Sequence, residues 1–308
     1  MALSEEKRYA RAETRPTAEV PALLNWAARF LERRGVPRPR LNAERLLSHC
    51  TGRSRVEIYA YPERPLRREE KRAFVRAVVR RSRREPLQYI TGTAVFRYLE
   101  LTVDRRVLVP RPETEMVVER ALALLRERGG HPLTVDVGTG SGCIALSLAR
   151  ECPAAVVHAT DLDPRALSAA RENARRLGME GLVRFHLGDC LSALPGDLEG
   201  KVDLVVSNPP YIREEDFHAL PPEVREYEPR SALVAGPRGT EVHERLLRQA
   251  PRWLAPGGWL LMEGGEDQVE GLAELARALG YVEVKVREDL NGRPRMVEGR
   301  LTPRWAIT

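Results

Sequence analysis

Three short stretches of this chain carry residue types suited to chemistry. In "VVSNPPYI", Val205 to Ile212, an apolar run ends in an amide, two prolines and an aromatic ring. Proline lacks the N–H that a sheet ladder needs, and the residue before a proline is pushed to extended geometry, so the strand stops at about Ser207. Beyond that point Asn208 offers a side-chain oxygen and Pro209 a carbonyl that the prolines hold in place. Two such acceptors suit the two hydrogens of a planar amino group, with the Tyr211 ring able to stack on its face. A rigid turn is the plainer reading of the same residues. In "VDVGTGSG", Gly138, Gly140 and Gly142 lie between a strand and a helix, where glycine permits a tight turn and close approach of a ligand to the backbone. A nicotinamide site would want G-x-G-x-x-G, and Cys143 stands where the third glycine belongs. Asp161 closes "AVVHATD", and Asp189 with Cys190 closes the next strand in "GDC". Asp163, followed by Pro164, reads as a helix cap.

These residues need a framework that brings strand ends together. From Leu133 onward strands and helices alternate: "LTVDVG", a helix from Ser141, "AVVHATD", a helix from Pro164, "LVRFHLGD", then "VDLVVS" before Asn208. A helix from about Thr240, "GWLLMEGG", a helix from Glu266, "YVEVKVRED" and "RPRMVEGRL" follow. The pattern predicts an α/β fold with a doubly wound, mostly parallel sheet, whose ligands bind at the carboxyl ends of the strands. Ahead of it, apolar residues recur at helical spacing in "PALLNWAARFLERRG" and "REEKRAFVRAVVRRSRRE". This predicts a helical domain over residues 1–85, a β-hairpin linker over 86–109 rich in Tyr, Thr, Val and Ile, and the sheet domain over 110–308. The first 15 or so residues read as a mobile extension.

At 308 residues and 43% hydrophobic composition the chain is long enough for two folded domains. It opens on a polar, charged stretch without an apolar core and has no run of about 18 apolar residues, so a cytoplasmic protein is expected. Cys50, Cys143, Cys152 and Cys190 form no C-x-x-C pair, and no H-E-x-x-H spacing occurs, so no metal site is indicated. Residues 1–85 hold 22 Lys and Arg against 11 Asp and Glu, while the remainder of the chain is net acidic. That asymmetry fits a solvated helical surface or a docking face for RNA or an acidic partner.

The G-x-G-x-G turn resembles motif I of the S-adenosyl-L-methionine-dependent methyltransferases. That likeness implies a Rossmann-like class I sheet, Asp161 as acceptor for both ribose hydroxyls, and Asp189 with Cys190 beside the adenine. More extensively, "PLQYITG", "VLVPRPETE", "VDVGTGSGCIALSLA", "DLDPRALSAARENA", "VSNPPYI", "EYEPRSALVAG" and "LAPGGWLLMEGGEDQ" resemble the HemK/PrmC family, which methylates the glutamine of the Gly-Gly-Gln motif in class I peptide chain release factors. The resemblance covers residues 86–268 and implies that S-adenosyl-L-methionine lies on Gly138, Thr139, Gly140, Ser141, Gly142, Asp161, Asp189, Cys190 and Asn208. It implies that Asn208, Pro209, Pro210 and Tyr211 take the glutamine amide, with Asn208, Pro209 and Tyr211 catalytic. A carboxamide nitrogen is a poor nucleophile, and two acceptors on its hydrogens would stabilise the charge that grows on it during methylation, with no separate base. Arg111 and Thr114 of "PRPETE" are expected either as a lid over the cofactor or as a helix start with Pro112 at its first turn. The chain departs from the family pattern at Cys190, Arg238 and Thr240. The partners implied are class I release factors, with transient contact of the basic front domain with RNA or the ribosome. A DNA or RNA exocyclic amino-group methyltransferase shares Asn-Pro-Pro-Tyr and is the enzymatic alternative; a non-catalytic cofactor-binding scaffold is the other.

Overall fold

The structure, a computed structural model, describes residues 19–302 and divides into two compact units. The first runs to Gly92 and takes in the short segment Pro222–Tyr227. Its helices are α1 (Glu19–Glu32), α2 (Pro39–Thr51), α3 (Arg55–Ala60), α4 (Arg68–Ser82) and α5 (Leu87–Thr91). Val20, Leu24, Ala27 and Leu31 recur at helical spacing and form the buried stripe of α1, which packs with Leu46, Leu47, Phe74 and Val78 into one core. Trp26 and Phe30, one turn apart, stack with ring centroids 5.7 Å apart. Ser54 begins α3 with a capping box, its hydroxyl accepting from the Glu57 N–H while the Glu57 carboxylate accepts from the Ser54 N–H.

The hairpin expected from Pro86 begins later. Leu87–Thr91 are helical, with Tyr89 and Ile90 buried on one side and the turn closed by Gly92 at φ 77°. Their β-favouring side chains follow burial rather than propensity, because a single helical turn sets Ile90 into the core and buries Tyr89 as well. Many basic residues of this unit are matched. Glu44 accepts from Arg40 and from Arg55. Arg81, buried at 4% exposure, donates to Asn42 Oδ1 at 2.8 Å, to the Glu85 carbonyl at 3.0 Å and to Glu223 Oε1 at 2.8 Å. Arg84 grips both Glu223 oxygens at 2.7 and 2.6 Å. Burial alone would raise the Glu223 carboxyl, but hydrogen bonds from Arg84 and Arg81 outweigh it and hold the group below the usual carboxylate range.

The second unit opens with an antiparallel hairpin, β1 (Thr93–Phe96) and β2 (Leu99–Thr102), followed by α6 (Thr114–Arg128). Then come β3 (Leu133–Val137), α7 (Cys143–Glu151), β4 (Val156–Asp161), α8 (Pro164–Arg176), β5 (Val183–Leu187) and β6 (Val202–Ser207). The two-residue β7 (Ile212–Arg213) pairs with β8 (Val234–Gly236), and α9 (Glu241–Trp253), β9 (Leu254–Glu263), α10 (Val269–Ala278), β10 (Tyr281–Glu288) and β11 (Pro294–Leu301) complete the unit. Seven strands form one sheet in the order β10-β11-β9-β6-β3-β4-β5. β9, β6, β3, β4 and β5 run parallel, and β11 is antiparallel to both its neighbours. The sheet is the mixed α/β arrangement the alternation predicts, with an antiparallel edge. After β3 the chain winds to β4 and β5, then crosses back to place β6 on the other side of β3. A crevice therefore opens at the carboxyl ends of β3 and β6, the switch point of the sheet.

Buried Asn173 of α8 fastens the hairpin and the glycine turn to this sheet. It accepts from the Thr102 N–H at 2.7 Å and donates to the carbonyls of Thr102 and Ser141 at 3.0 and 2.9 Å. Asp163 caps α8 by accepting from the Arg165 N–H at 2.8 Å, with Pro164 at the first turn.

Candidate active site

A cavity of about 770 Å³ occupies the switch point. Its walls include Gly138, Gly140, Asp161, Asp189, Cys190, Asn208, Pro209 and Pro210, so four strand ends that are far apart in sequence meet on one space. Gly138 and Gly140 hold φ values of 72° and 55°, and a Cβ built on either would meet no protein atom within 4 Å. The turn thus presents bare backbone to the cavity. The remaining residues of the turn face elsewhere. A Cβ on Gly142 would press on Leu146 at 3.0 Å and Ala170 at 3.3 Å, Ser141 is buried, and Thr139 donates to Asp136 Oδ2 at 2.7 Å. Asp136 also accepts from the Ala145 N–H at 3.1 Å, which ties the turn to the start of α7. Burial pushes the Asp136 carboxyl up to about 7.

Asp161 is set rigidly at the cavity edge. Its Oδ2 accepts from the Gly140 N–H and its Oδ1 from the Asp163 N–H, both at 2.9 Å. Each carboxylate oxygen has a second lone pair, so the group keeps capacity for a diol. Burial raises its pKa against those backbone hydrogen bonds. At the next strand end Asp189 is held by Arg245 at 2.8 Å. Cys190 takes a left-handed backbone at φ 49°, which turns the chain along the cavity wall, and burial pushes its thiol up to about 12, so it stays neutral. Two further members of the wall were not singled out as site residues by the sequence. Leu162, 68% exposed beside Asp161, offers an apolar surface, and Arg245 comes from α9, 56 residues from its partner.

Asn208 stands one residue beyond the pair formed by Ser207 of β6 and Met262 of β9, which brings it level with Glu263. Its Nδ2 donates to Thr114 Oγ1 at 2.9 Å, and Thr114 Oγ1 donates to Glu263 Oε2 at 2.7 Å. Thr114 is buried at 1% exposure at the first position of α6, the helix start that the sequence also allowed. Arg111 grips both oxygens of buried Glu228 at 2.8 and 2.7 Å, which joins "PRPETE" to "EPRSALVAG". Tyr211 is outside the cavity wall; its carbonyl accepts from Gln268 Nε2 at 2.9 Å, and burial pushes its hydroxyl up to about 12. Among the described residues no cluster of metal-ligating side chains occurs, and no helix is long and apolar enough to cross a membrane.

Residues 22–92 match the PrmC N-terminal domain model and residues 120–220 match the methyltransferase small domain model. The chain is 41% identical to the release factor glutamine methyltransferase of Geobacter sulfurreducens over 285 residues, covering 91% of this chain and 95% of that relative. It is 44% identical to the protein of the same description in Chlorobaculum tepidum, over 88% of this chain and 94% of the relative. The chain belongs to the release factor glutamine methyltransferase family. Its sheet also matches the hMettl16 catalytic domain, solved in complex with MAT2A 3'UTR hairpin 1, at TM-score 0.52 and 17% identity, covering 66% of this chain and 74% of that one. That likeness extends to the fold alone.

Proposed function

We propose that this chain methylates the side-chain amide nitrogen of the glutamine in the Gly-Gly-Gln motif of class I peptide chain release factors, acting in the cytoplasm with S-adenosyl-L-methionine. The observation that carries the reading is that Asn208, Pro209 and Pro210 line the same cavity as Gly138, Gly140 and Asp161. Amide-holding acceptors and a nucleoside-binding turn thereby share one space.

The residues fit the cofactor. Bare backbone at Gly138 and Gly140 admits its amino acid portion, Asp161 has lone pairs for the ribose hydroxyls, and Leu162, Asp189 and Cys190 bound the space for the adenine. S-adenosyl-L-methionine supplies an electrophilic methyl group on a sulfonium sulfur. Asn208 Oδ1 and the Pro209 carbonyl accept the two hydrogens of the glutamine NH₂ and orient its nitrogen. As the carbon–nitrogen bond forms and the methyl–sulfur bond breaks, those N–H groups become more acidic and the two hydrogen bonds strengthen, so they act mainly in the transition state, and one of the two protons then passes to solvent. Pro209, lacking an N–H of its own, brings no competing donor to the site. Tyr211 is proposed to cover the planar amide. The basic front segment is proposed to dock the release factor away from the reacting glutamine, with RNA as a transient contact.

Purified enzyme, S-adenosyl-L-methionine carrying a labelled methyl and a purified release factor test the reading. Label should enter the release factor and be lost when the glutamine of Gly-Gly-Gln is changed to alanine. No transfer, or transfer undiminished by that change, overturns it.

A further inference from the structure

Resting on the function proposed above, we infer that Glu263 and Thr114 are positioning residues that fix which end of the Asn208 amide faces the substrate. The inference comes from the direction of a buried hydrogen-bond chain. An ionised carboxylate only accepts, so the Thr114 hydroxyl hydrogen is drawn to Glu263 Oε2. A hydroxyl has one hydrogen. With it committed, Thr114 Oγ1 turns a lone pair to Asn208, and only the NH₂ end of the amide can satisfy it. The Oδ1 end is left for the cavity that Asn208 lines. Reversed, the chain would point an NH₂ at the substrate NH₂, donor against donor, and the site could not hold a carboxamide by its hydrogens.

The elements that hold this chain are rigid. Glu263 ends β9 at 2% exposure, and His243 donates from Nε2 to its backbone carbonyl at 2.7 Å. Thr114 is pinned at the first turn of α6, and Asn208 follows the parallel pairing of β6 with β9. Burying an acid costs free energy unless its hydrogen bonds are made, and the Thr114 hydroxyl supplies one to Glu263.

Burial pushes the Glu263 carboxyl up to about 7, aided by Glu113 and opposed by the Thr114 hydrogen bond and by Arg295 and Arg111. Tyr211 and Cys143 also face it, and both stay neutral near pH 7, as does His243, which burial lowers. Protonation gives Glu263 a hydrogen to donate, which frees the Thr114 hydroxyl to turn on Asn208. Turnover therefore falls as pH drops through about 7.

The test compares Thr114→Val, Thr114→Ser and Glu263→Gln with the parent enzyme. Thr114→Val removes the link and should lower kcat at least about tenfold with cofactor affinity, measured by calorimetry, held within about twofold. Thr114→Ser, restoring a hydroxyl, should recover most of that loss. Glu263→Gln, whose amide can donate as well as accept, should lose the fall in activity below about pH 7 that the parent shows. Should Glu263→Gln fail to fold, the Thr114 pair carries the test alone. Parental kcat in Thr114→Val, no recovery in Thr114→Ser, or an unchanged acid limb in Glu263→Gln overturns the inference. Failure of the proposed function itself appears separately, as a parent enzyme that labels no release factor.

Discussion

Asp161 and Asn208 are each fixed by hydrogen bonds that leave part of the side chain uncommitted. Asp161 commits one lone pair of each oxygen to the N–H groups of Gly140 and Asp163. Replacing it with asparagine leaves an NH₂ facing one of those donors and removes the charge. Asp161→Asn should weaken cofactor binding at least about tenfold by calorimetry, the order expected when a hydrogen bond to a charged group is lost. Asn208→Ala should behave oppositely. On the proposed function it removes an acceptor used chiefly in the transition state, so kcat should fall about a hundredfold or more while cofactor affinity stays close to the parent's. Equal loss in both measurements would show that Asn208 serves the cofactor instead. At this scale the sequence was most readable where chemistry is contiguous. Asn208 to Tyr211 and the glycine turn are single words in the chain, and their placement follows from strand ends alone. Thr114 and Glu263 were not readable as partners because 149 residues separate them and only the packing of α6 against β9 brings them together.

At the scale of elements, the alternation of strands and helices announced the parallel sheet, since a β-α-β unit has few ways to pack. Leu87–Thr91 misled for a physical reason: five residues are too few for periodicity to overrule β-favouring composition, and the core decides. Asn173 was hidden for another. It sits in the apolar stripe of α8, where a sequence offers no sign that its amide reaches two separate backbone segments. Asn173→Ala removes three hydrogen bonds and strands the Ser141 carbonyl and both polar groups of Thr102. A loss of about 2–4 kcal/mol in chemical denaturation is expected, because buried groups left without partners cost more than the bonds contributed. Leu146→Ala in α7 should cost a similar 2–5 kcal/mol, roughly, through the cavity it leaves beneath the glycine turn.

At the scale of the whole molecule, the excess of basic residues at the front of the chain was plain in the sequence, but their pairing was not. Arg81 and Arg84 find their carboxylate in Glu223, about 140 residues on. Glu223 is held below its unfolded pKa, so its contribution is full above that unfolded value and is lost as pH falls through the lower folded one. Glu223→Gln should therefore be destabilised by about 3 kcal/mol near neutrality, since it leaves buried Arg81 without its counter-charge, and the difference from the parent should shrink as the solution is acidified. A gap that persists undiminished at low pH would assign the effect to packing.

The same pairing sets an order of events during synthesis. The helical unit is made first, yet the carboxylate that neutralises its buried guanidinium lies in Pro222–Tyr227, beyond four strands of the sheet. A ribosome that has released the first 92 residues has released an unfinished structure, with Arg81 still awaiting its counter-ion. A chain truncated before Glu223 would lack the carboxylate that Arg81 and Arg84 share.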